Sequence, residues 1–520
     1  MWVRFRDCVL DLERWELRRG GETVALEPRA MRVLEELIER RGRVVTKAEL
    51  LDTVWGDRFV GESALTTQVK EIRRAVGDTG REQAVVKTVH GQGYMFVAPV
   101  TTADDTVPPP DSSAHTTPVG GQAYPVVAVL PFENLSPDAD RAHVADGLTS
   151  DVITAVAKHR WLRVLTRATS AGYRDRPDAV GALRADFGVR YVVEGSVRLD
   201  GGRLRVTARL TDAESGTYRW SERFDRTAAD MFDVLDEITD LIAASVEPEV
   251  GFAERERAQR RPRADLRAWD LHHLGVAHLF RFTAADNREA QRLLEEARRQ
   301  DPGFGEPHAW WAYAVVLGMT YWDTEPSAEL LDEALGATRA ALELDDRDAV
   351  SHMIRGRVQL ARREYGPALL DNERAIELNP TFAAAYCGLG DSLCYEARYD
   401  EAISQFERSI ALGAHDPQRW AFLSYGALAL LFAGRLDDAV EWTERAGSLP
   451  NCQYWTTAHR AVALAHAGRV REARAAIAEL DALQPAFTVE FARRKLFYLK
   501  RDDQLERYLE GLTAAGVPDR

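Results

Sequence analysis

Apolar and polar positions along the first hundred residues predict a small sheet, three helices and a hairpin. Residues 3–26 alternate with a period of two on either side of a two-glycine turn, which indicates short antiparallel strands. In residues 28–42, 46–56 and 63–78 the apolar positions recur every three or four residues, so each stretch predicts an amphipathic helix. Two further apolar strands flank the pentapeptide HGQGY within residues 85–97. We therefore expect an α+β domain in this part of the chain.

The middle of the chain carries the pattern of an α/β domain behind a linker. Residues 101–122 contain three consecutive prolines and no periodicity, so we expect a disordered linker there. Residues 123–250 begin with a continuous apolar run typical of a buried strand, continue through helices and a strand meander, and close with a helix. An arginine-rich connector, residues 251–267, follows.

From residue 268 onwards the strand patterns cease and a repeat begins. Small residues recur at spacings of 44, 34, 34, 37 and 34, namely Ala290, Ala334, Ala368, Ala402, Ala439 and Ala473. Seven residues after the first five stand Ala297, Ala341, Ala375, Ser409 and Ala446, while Leu480 breaks the rule in the sixth unit. Paired helices that approach closely need small residues at such positions. The pattern predicts an all-α solenoid over residues 268–520.

This repeat resembles the tetratricopeptide repeat, with about six units over Ala268–Pro485 followed by a capping segment. The resemblance implies a concave, helix-lined groove suited to a protein or peptide partner. Five aromatic residues either line that groove or pack between helices, and packing is the interpretation we favour: Trp310, Trp311, Tyr386, Trp420 and Trp455.

The pentapeptide HGQGY, His90 to Tyr94, can be interpreted in three ways. A glycine-rich segment leading from a strand into a helix would cradle a phosphate, and one beside a nucleophile elbow would form an oxyanion hole. Two glycines between two strands would instead turn a hairpin. The segment that follows is YMFVAPV, which has the pattern of a strand, and the sequence contains no GxSxG motif. The pattern therefore predicts a hairpin.

Charge is distributed unevenly along the chain. The net charge of −15 argues against nucleic-acid binding by the chain as a whole. Residues 1–100 hold 17 Lys+Arg and 16 Asp+Glu, a net charge of +1, whereas the other 420 residues hold 50 and 66. The first domain is thus the part that a polyanion can approach.

Composition favours a cytoplasmic protein without membrane contact. No apolar run approaches the ~20 residues that span a bilayer, and the first residues lack the apolar core of a signal peptide. The cysteines Cys8, Cys387, Cys394 and Cys452 are scattered and form no CxxC pair. We expect them to be small buried hydrophobic residues and not a disulfide framework.

The order of sheet, three helices and hairpin over residues 1–100 resembles the OmpR-type winged-helix DNA-binding domain. The segments that carry the resemblance are LEPRAMRVLEELIERRGRVVTKAELLDTVWG, ALTTQVKEIRRAVGD and VVKTVHGQGYMFV. The resemblance implies that the third helix reads the major groove while the hairpin, or wing, follows the backbone beside it. The expected DNA-binding residues on these two elements are Thr66, Thr67, Gln68, Lys70, Arg73, Arg74, Lys87, Thr88, His90 and Tyr94. The plainer alternative makes them the solvated face of a core helix and its neighbouring hairpin.

Two residues depart from the family pattern. His90 stands where the wing commonly carries arginine, which lowers its attraction for phosphates. Glu71 adds a negative charge to the reading face, or accepts a hydrogen bond from a cytosine amino group. The family's loop between the second and third helices often contacts RNA polymerase, so the exposed candidates for that contact are Asp57, Arg58 and Phe59. A simple connector is the alternative for this loop.

Residues Pro125–Val246 resemble the TolB-like α/β unit through the segments VAVLPFENLSPDAD, ADGLTSDVITAVAK and YVVEGSVRLDGGRLRVTARLTD. The resemblance implies a ligand-sensing or assembly module and transfers no catalytic residue. The sequence contains no GxxxxGK[ST], GxSxG or HExxH motif. Asp138, Asp140 and Asp146 lack the spacing of an EF-hand loop and fit turns and a helix cap. We expect no catalytic residue, no metal site and no cofactor.

Together these patterns predict a multidomain, non-enzymatic, one-component transcriptional regulator, since no receiver domain precedes the winged helix in this sequence. Its expected partners are double-stranded DNA, RNA polymerase, a protein or peptide for the repeat array, and a second copy of the chain on DNA. The rival hypothesis is a protein-interaction scaffold whose winged helix is a docking surface, which the charge of only +1 favours. An enzyme within the α/β domain has no supporting set of residues.

Overall fold

The protein is described by a computed structural model, in which two compact units are formed by Met1–Thr116 and Thr117–Arg520. The described residues are 2–11, 16–19, 22–24, 26, 28–55, 62–78, 83–89, 92–102, 124–137, 142–174, 176–227, 231–262, 265–322 and 324–520.

The first unit combines a five-stranded antiparallel sheet, three helices and a three-stranded sheet. The strands of the larger sheet are, in spatial order, β4 (Glu22–Val24), β3 (Glu16–Arg19), β2 (Cys8–Asp11), β1 (Trp2–Phe5) and β8 (Thr101–Thr102). The helices are α1 (Pro28–Glu39), α2 (Lys47–Trp55) and α3 (Glu62–Ala75). The smaller sheet has the order β5 (Val45–Thr46), β7 (Gly93–Phe96) and β6 (Val86–Val89).

One hydrophobic core joins the two sheets and the helices of this unit. Phe5 of β1 and Phe96 of β7 meet edge to face with ring centroids 5.1 Å apart, and both are buried. The sheet extends further than predicted, because Thr101 and Thr102 pair with β1 although they begin the predicted linker. The rest of that linker, 103–122, lies outside the described residues.

The α/β domain has a mixed sheet with helices on both faces. Its strands are β9 (Val126–Val129), β10 (Glu133–Asn134), β11 (Arg163–Val164), β12 (Val189–Asp200), β13 (Arg203–Asp212) and β14 (Thr217–Thr227). Its helices are α4 (Ala142–Val156), α5 (Arg167–Ala171), α6 (Ala179–Phe187) and α7 (Met231–Gln259). The strand order is β11-β9-β12-β13-β14, parallel from β11 to β12 and antiparallel beyond, while β10 pairs with β12.

The alternation of side chains along β9 explains why both faces of this sheet are covered. Val127 and Val129 contact the core under α4 and α7, whereas Ala128 contacts the core under α6. Helix α7 continues to Gln259, past the predicted boundary at residue 250, with Pro248 inside it. Val250 and Ala253 extend its apolar face into the same core, so burial outweighs the one backbone hydrogen bond that a proline removes.

The described residues of the C-terminal region form seven antiparallel helix pairs. The helices are α8 (Ala268–Leu279), α9 (Ala284–Gln300), α10 (Gly305–Tyr321), α11 (Ala328–Leu344), α12 (Ala349–Ala361), α13 (Tyr365–Leu378), α14 (Ala383–Tyr395), α15 (Tyr399–Leu412), α16 (Arg419–Ala433), α17 (Leu436–Gly447), α18 (Tyr454–His466), α19 (Val470–Leu483), α20 (Val489–Lys495) and α21 (Asp502–Ala515). The predicted sequence of winged helix, α/β domain and helical solenoid is confirmed.

The repeated small residues lie where the helices of the solenoid approach closely. All six alanines of the repeat, from Ala290 to Ala473, are fully buried in the second helix of their pair. Gly390 on α14 has a similar reason, since a Cβ atom there would lie 2.9 Å from the ring of Phe406 on α15. The side chains of Trp420 and Trp455 are buried between helices, which agrees with the packing interpretation of the aromatic residues.

The α/β domain and the solenoid are joined through a buried carboxylate on α7. Glu254 accepts hydrogen bonds from Arg190 Nη1 at 2.9 Å and from the Tyr191 hydroxyl at 2.9 Å, both on β12. It also accepts one from Trp269 Nε1 on α8, at 3.2 Å. Only 2% of the Glu254 side chain is exposed, so its three partners replace the water that it loses.

Replacing the Glu254 carboxylate should lower the thermodynamic stability of the second unit. In Glu254→Leu the Arg190 guanidinium loses its buried partner, and we expect the free energy of unfolding to fall by about 3 kcal/mol. Urea unfolding monitored by tryptophan fluorescence measures this change in the free energy of unfolding. Asp225→Asn, which breaks the exposed Arg205–Asp225 ion pair, is the control and should cost less than about 1 kcal/mol. Equal losses in the two variants would contradict a joining role for Glu254.

Candidate nucleic-acid interface

Helix α3 presents one buried face and one exposed face. Leu65, Val69 and Ile72 lie in the core of the first unit, following the i, i+4, i+7 spacing of an amphipathic helix. The exposed residues on the other side are Thr66, Thr67, Lys70 and Arg74. Four of the six predicted DNA-binding positions on this helix are therefore accessible to solvent.

Two of the predicted DNA-binding residues, Gln68 and Tyr94, are buried. Gln68 is 8% exposed, because its position on α3 lies beside Val69 and Ile72 and turns towards the core. Tyr94 is 5% exposed and belongs to the hydrophobic core, since β7 is the central strand of its sheet and this side chain points inward. The burial of both side chains does not favour a direct contact with DNA, and their predicted role stays a prediction.

Arg73 connects α3 to the wing. Its Nε and Nη2 donate to the carbonyl oxygen of Val86 at 3.2 and 2.8 Å, and Nη2 also donates to Thr88 Oγ1 at 2.8 Å. Both acceptors belong to β6, the first strand of the wing. The guanidinium of Arg73 therefore fixes the position of the wing relative to the helix, and Thr88 is its partner in that contact.

Asp78, which the sequence analysis did not single out, holds the start of the wing. Its buried carboxylate accepts backbone hydrogen bonds from Ala84, Val85 and Val86 at 2.8 to 3.0 Å. An aspartate a few residues ahead of a predicted strand is a signal for such an anchor. The helix end and β6 are thus joined by Asp78 as well as by Arg73.

The hairpin interpretation of HGQGY agrees with the structure on both sides of the turn. The backbone N–H of Gln92 donates to the carbonyl of Val89 at 3.0 Å, and the strand β7 begins at Gly93. Gly93 is needed for close approach, because a Cβ atom there would lie 2.0 Å from the carbonyl oxygen of Val45 on β5. His90 lies outside the described residues, so its predicted role stays a prediction.

The start of α2 is fixed by a reciprocal cap. The Thr46 N–H donates to Glu49 Oε2 at 2.8 Å, and the Glu49 N–H donates to Thr46 Oγ1 at 3.2 Å. Hydrogen bonds from Arg43 and Thr46 lower the pKa of Glu49 to about 2. The predicted capping box is present, and it places α2 beside β5 at the base of the wing.

Three basic side chains of this domain are exposed and accessible to an anionic ligand. Lys70 and Arg74 lie on α3 and Lys87 lies on β6, and none of them forms an ion pair with a described residue. Glu71, between Lys70 and Arg74, is half-buried, and its Oε2 has no hydrogen-bond partner. The predicted polymerase contacts Asp57, Arg58 and Phe59 lie outside the described residues.

The other residues considered in the sequence are weaker candidates for a functional site. Asp146 pairs with Arg174 at 3.0 Å, while Asp138 and Asp140 lie outside the described residues. Among the residues described, no group of three or more His, Cys, Asp or Glu side chains is placed to hold a metal ion. Burial raises the pKa of the Cys8 thiol to about 11, so this cysteine is a neutral core residue. No helix in the described part of the chain is long and apolar enough to cross a membrane.

Residues 21–96 match the family described as "Transcriptional regulatory protein, C terminal". The first unit is therefore an OmpR-type winged-helix domain, as its sequence segments indicated.

Two curated proteins resemble parts of the chain. "Putative adenylate cyclase 3" of Rhizobium meliloti is 33% identical over 230 residues, which are 44% of this chain and 39% of that protein. The transcriptional regulator HilA of Salmonella typhi is 34% identical over 129 residues, 25% of this chain and 21% of its own length. The chain thus spans less than half the length of these curated relatives.

A solved structure of the Klebsiella pneumoniae RstA DNA-binding domain in complex with the RstA box is 26% identical. The match covers 18% of this chain and 96% of that one, with a TM-score of 0.18.

The close approach at Gly93 predicts that a side chain at this position destabilises the wing. In Gly93→Ala the added methyl group collides with the Val45 carbonyl, and the strain should cost about 1–3 kcal/mol. Hydrogen exchange of the β6 and β7 amides in the full chain should therefore accelerate about tenfold or more. The neighbouring Gln92→Ala changes an exposed side chain and should leave exchange within about twofold. Unchanged exchange in Gly93→Ala would show that β5 and β7 do not meet this closely.

Proposed function

We propose that the chain is a sequence-specific, DNA-binding transcriptional regulator. The observation that best supports this function is the exposed face of α3, which lies beside a wing that Arg73 fixes in place. Thr66, Thr67, Lys70 and Arg74 are the side chains that a helix in the major groove would present to bases and phosphates. Lys87 and Thr88 would meet the neighbouring backbone, and His90 is proposed for the same role.

The second unit is proposed as the sensing and protein-interaction part of a one-component, cytoplasmic regulator. The α/β domain and the solenoid are joined by the buried Glu254 contacts. Binding of a ligand or partner to one of them would therefore shift the structure of the other. On DNA we expect a homo-oligomer, and we propose that the loop containing Asp57, Arg58 and Phe59 contacts RNA polymerase. We propose no enzymatic activity and no cofactor, although a relative carries an adenylate cyclase name.

A protein-interaction scaffold is the second candidate function. The net charge of +1 over residues 1–100 favours it, because DNA-binding domains usually carry a larger positive charge. In that case α3 would dock against a protein, and binding would depend little on salt.

The salt dependence of DNA binding separates the two functions. A genomic site would first be found by immunoprecipitating the chain from chromatin and sequencing the DNA. Affinity of the full chain for that site should fall steeply with salt. Lys70→Ala, Arg74→Ala and Lys87→Ala should each reduce the logarithmic slope by about 1, since each removes one phosphate contact.

Arg73→Ala should behave differently from these three variants. Because its guanidinium is occupied by β6, affinity should fall through a displaced wing while the salt slope stays the same. Arg203→Ala, at an exposed site in the second unit, is the control and should change neither quantity. A chain that enriches no genomic site and binds DNA without salt dependence would support the scaffold instead.

A further inference from the structure

The solenoid closes on itself, because its early and late helix pairs are in contact. The Tyr313 hydroxyl on α10 donates to Gln418, just before α16, and the Tyr321 and Tyr425 hydroxyls bond to each other across the same gap. On α18, Trp455 Nε1 donates to the carbonyl of Thr320 at 3.2 Å. Residues of α10 therefore contact residues of α16 and α18 across the inner side of the array.

The C-terminal segment adds further contacts to the early helix pairs. Lys495, which is 4% exposed, donates its ammonium to the carbonyls of Met319 at 3.0 Å and Trp322 at 2.5 Å, at the end of α10. The carbonyl of Tyr498 accepts from the Tyr365 hydroxyl on α13. The end of α20 and the segment that follows it thus lie against the second and third helix pairs.

A cavity of about 60 Å³ lies on the inner side of the solenoid and is partly open. Its polar lining comes mainly from Tyr313, Arg357, Asp391, Tyr395, Tyr425 and Tyr498. The volume has room for about four or five water molecules, or for a ligand of about five or six non-hydrogen atoms.

Opposite charges face each other in this lining. Arg357 Nη1 on α12 is paired with Asp391 Oδ2 on α14, and the two side chains are only 14% and 2% exposed. Arg357 Nη2 also donates to Cys387 Sγ at 3.0 Å. Burial raises the pKa of the Cys387 thiol to about 12, so the thiol stays neutral and the charges in the lining sum to zero. Buried ion pairs can often be replaced by apolar pairs of similar size without loss of stability, so a buried pair is weak evidence for a purely stabilising role.

The tyrosines add aromatic faces and hydroxyl groups around the pair. The Arg357 guanidinium carbon lies 5.7 Å from the Tyr425 ring centroid, and the Tyr395 and Tyr498 rings are 5.4 Å apart. Aromatic faces attract a cation, while a guanidinium attracts a carboxylate. A net anion would be repelled by Asp391, and a net cation by Arg357.

We propose that this cavity binds a small zwitterionic amino acid. Its carboxylate contacts the Arg357 guanidinium, and its ammonium contacts the Asp391 carboxylate and the tyrosine faces. The volume suits a ligand of the size of glycine or alanine. A signalling role for the site rests on the proposed function, but binding itself does not.

Calorimetric titration of the full chain, without DNA, tests the proposal. Glycine or L-alanine should bind saturably, whereas acetate and methylammonium, which each carry half of the zwitterion, should bind at least tenfold more weakly. Absence of saturable binding by both amino acids, or equal binding by acetate, overturns the proposal. Because DNA is absent, this failure is distinct from a failure of the chain to enrich a genomic site.

Variants locate the site within the solenoid. Arg357→Met combined with Asp391→Leu removes both charges while keeping their approximate volume, and amino-acid binding should fall at least tenfold. Tyr425→Phe, a smaller change suited to the case in which the double variant does not fold, should weaken binding severalfold. The control removes the exposed Arg374–Glu377 pair on α13 by Arg374→Met and Glu377→Leu, and it should bind as the wild type does. Undiminished binding in folded Arg357→Met/Asp391→Leu would overturn the assignment.

Discussion

Close packing between paired helices is the constraint on which the larger unit depends. Each second helix of the first six pairs places a fully buried alanine against its partner, as Ala368 on α13 and Ala402 on α15 illustrate. A larger side chain would hold the helices apart, and the displacement would add along the array because each pair packs on the next. The accumulated geometry brings α10 against α16 and α18, beside the partly open cavity. Pairwise packing therefore decides which residues meet across the inner surface.

The first unit depends on a different kind of contact, in which single polar side chains fix the wing to the helix. Arg73 and Asp78 both bond to the backbone of the strand that begins the wing. The core contributes through Phe96 and Tyr94, whose burial leaves the outer face of the hairpin to Lys87. The helix and the wing are thereby held in one arrangement before any ligand arrives, which lowers the ordering entropy that binding would cost.

Much of the candidate interface follows from sequence pattern, whereas the burial of two of its residues does not. The period of α3 predicts that Lys70 and Arg74 are exposed, and the structure agrees. Gln68 lies at the edge of the apolar stripe, where periodicity does not separate half-exposed from buried positions. Tyr94 is polar at one end only, and the neighbouring strand that covers it is far away in the sequence. The role of Arg73 depends on the position of the Val86 carbonyl, which no local pattern contains.

The sequence by itself determined the three-part architecture, the helices and strands of each part, and the positions of the small repeated residues. Those features depend on local periodicity and turn chemistry, which act over a few residues. Only the tertiary structure decided that the solenoid closes, that Glu254 joins it to the sheet, and that Arg357 meets Asp391 beside a cavity. These contacts join residues from 15 to more than 100 positions apart, and their existence depends on the summed angles of helix packing. Local sequence patterns do not predict those angles.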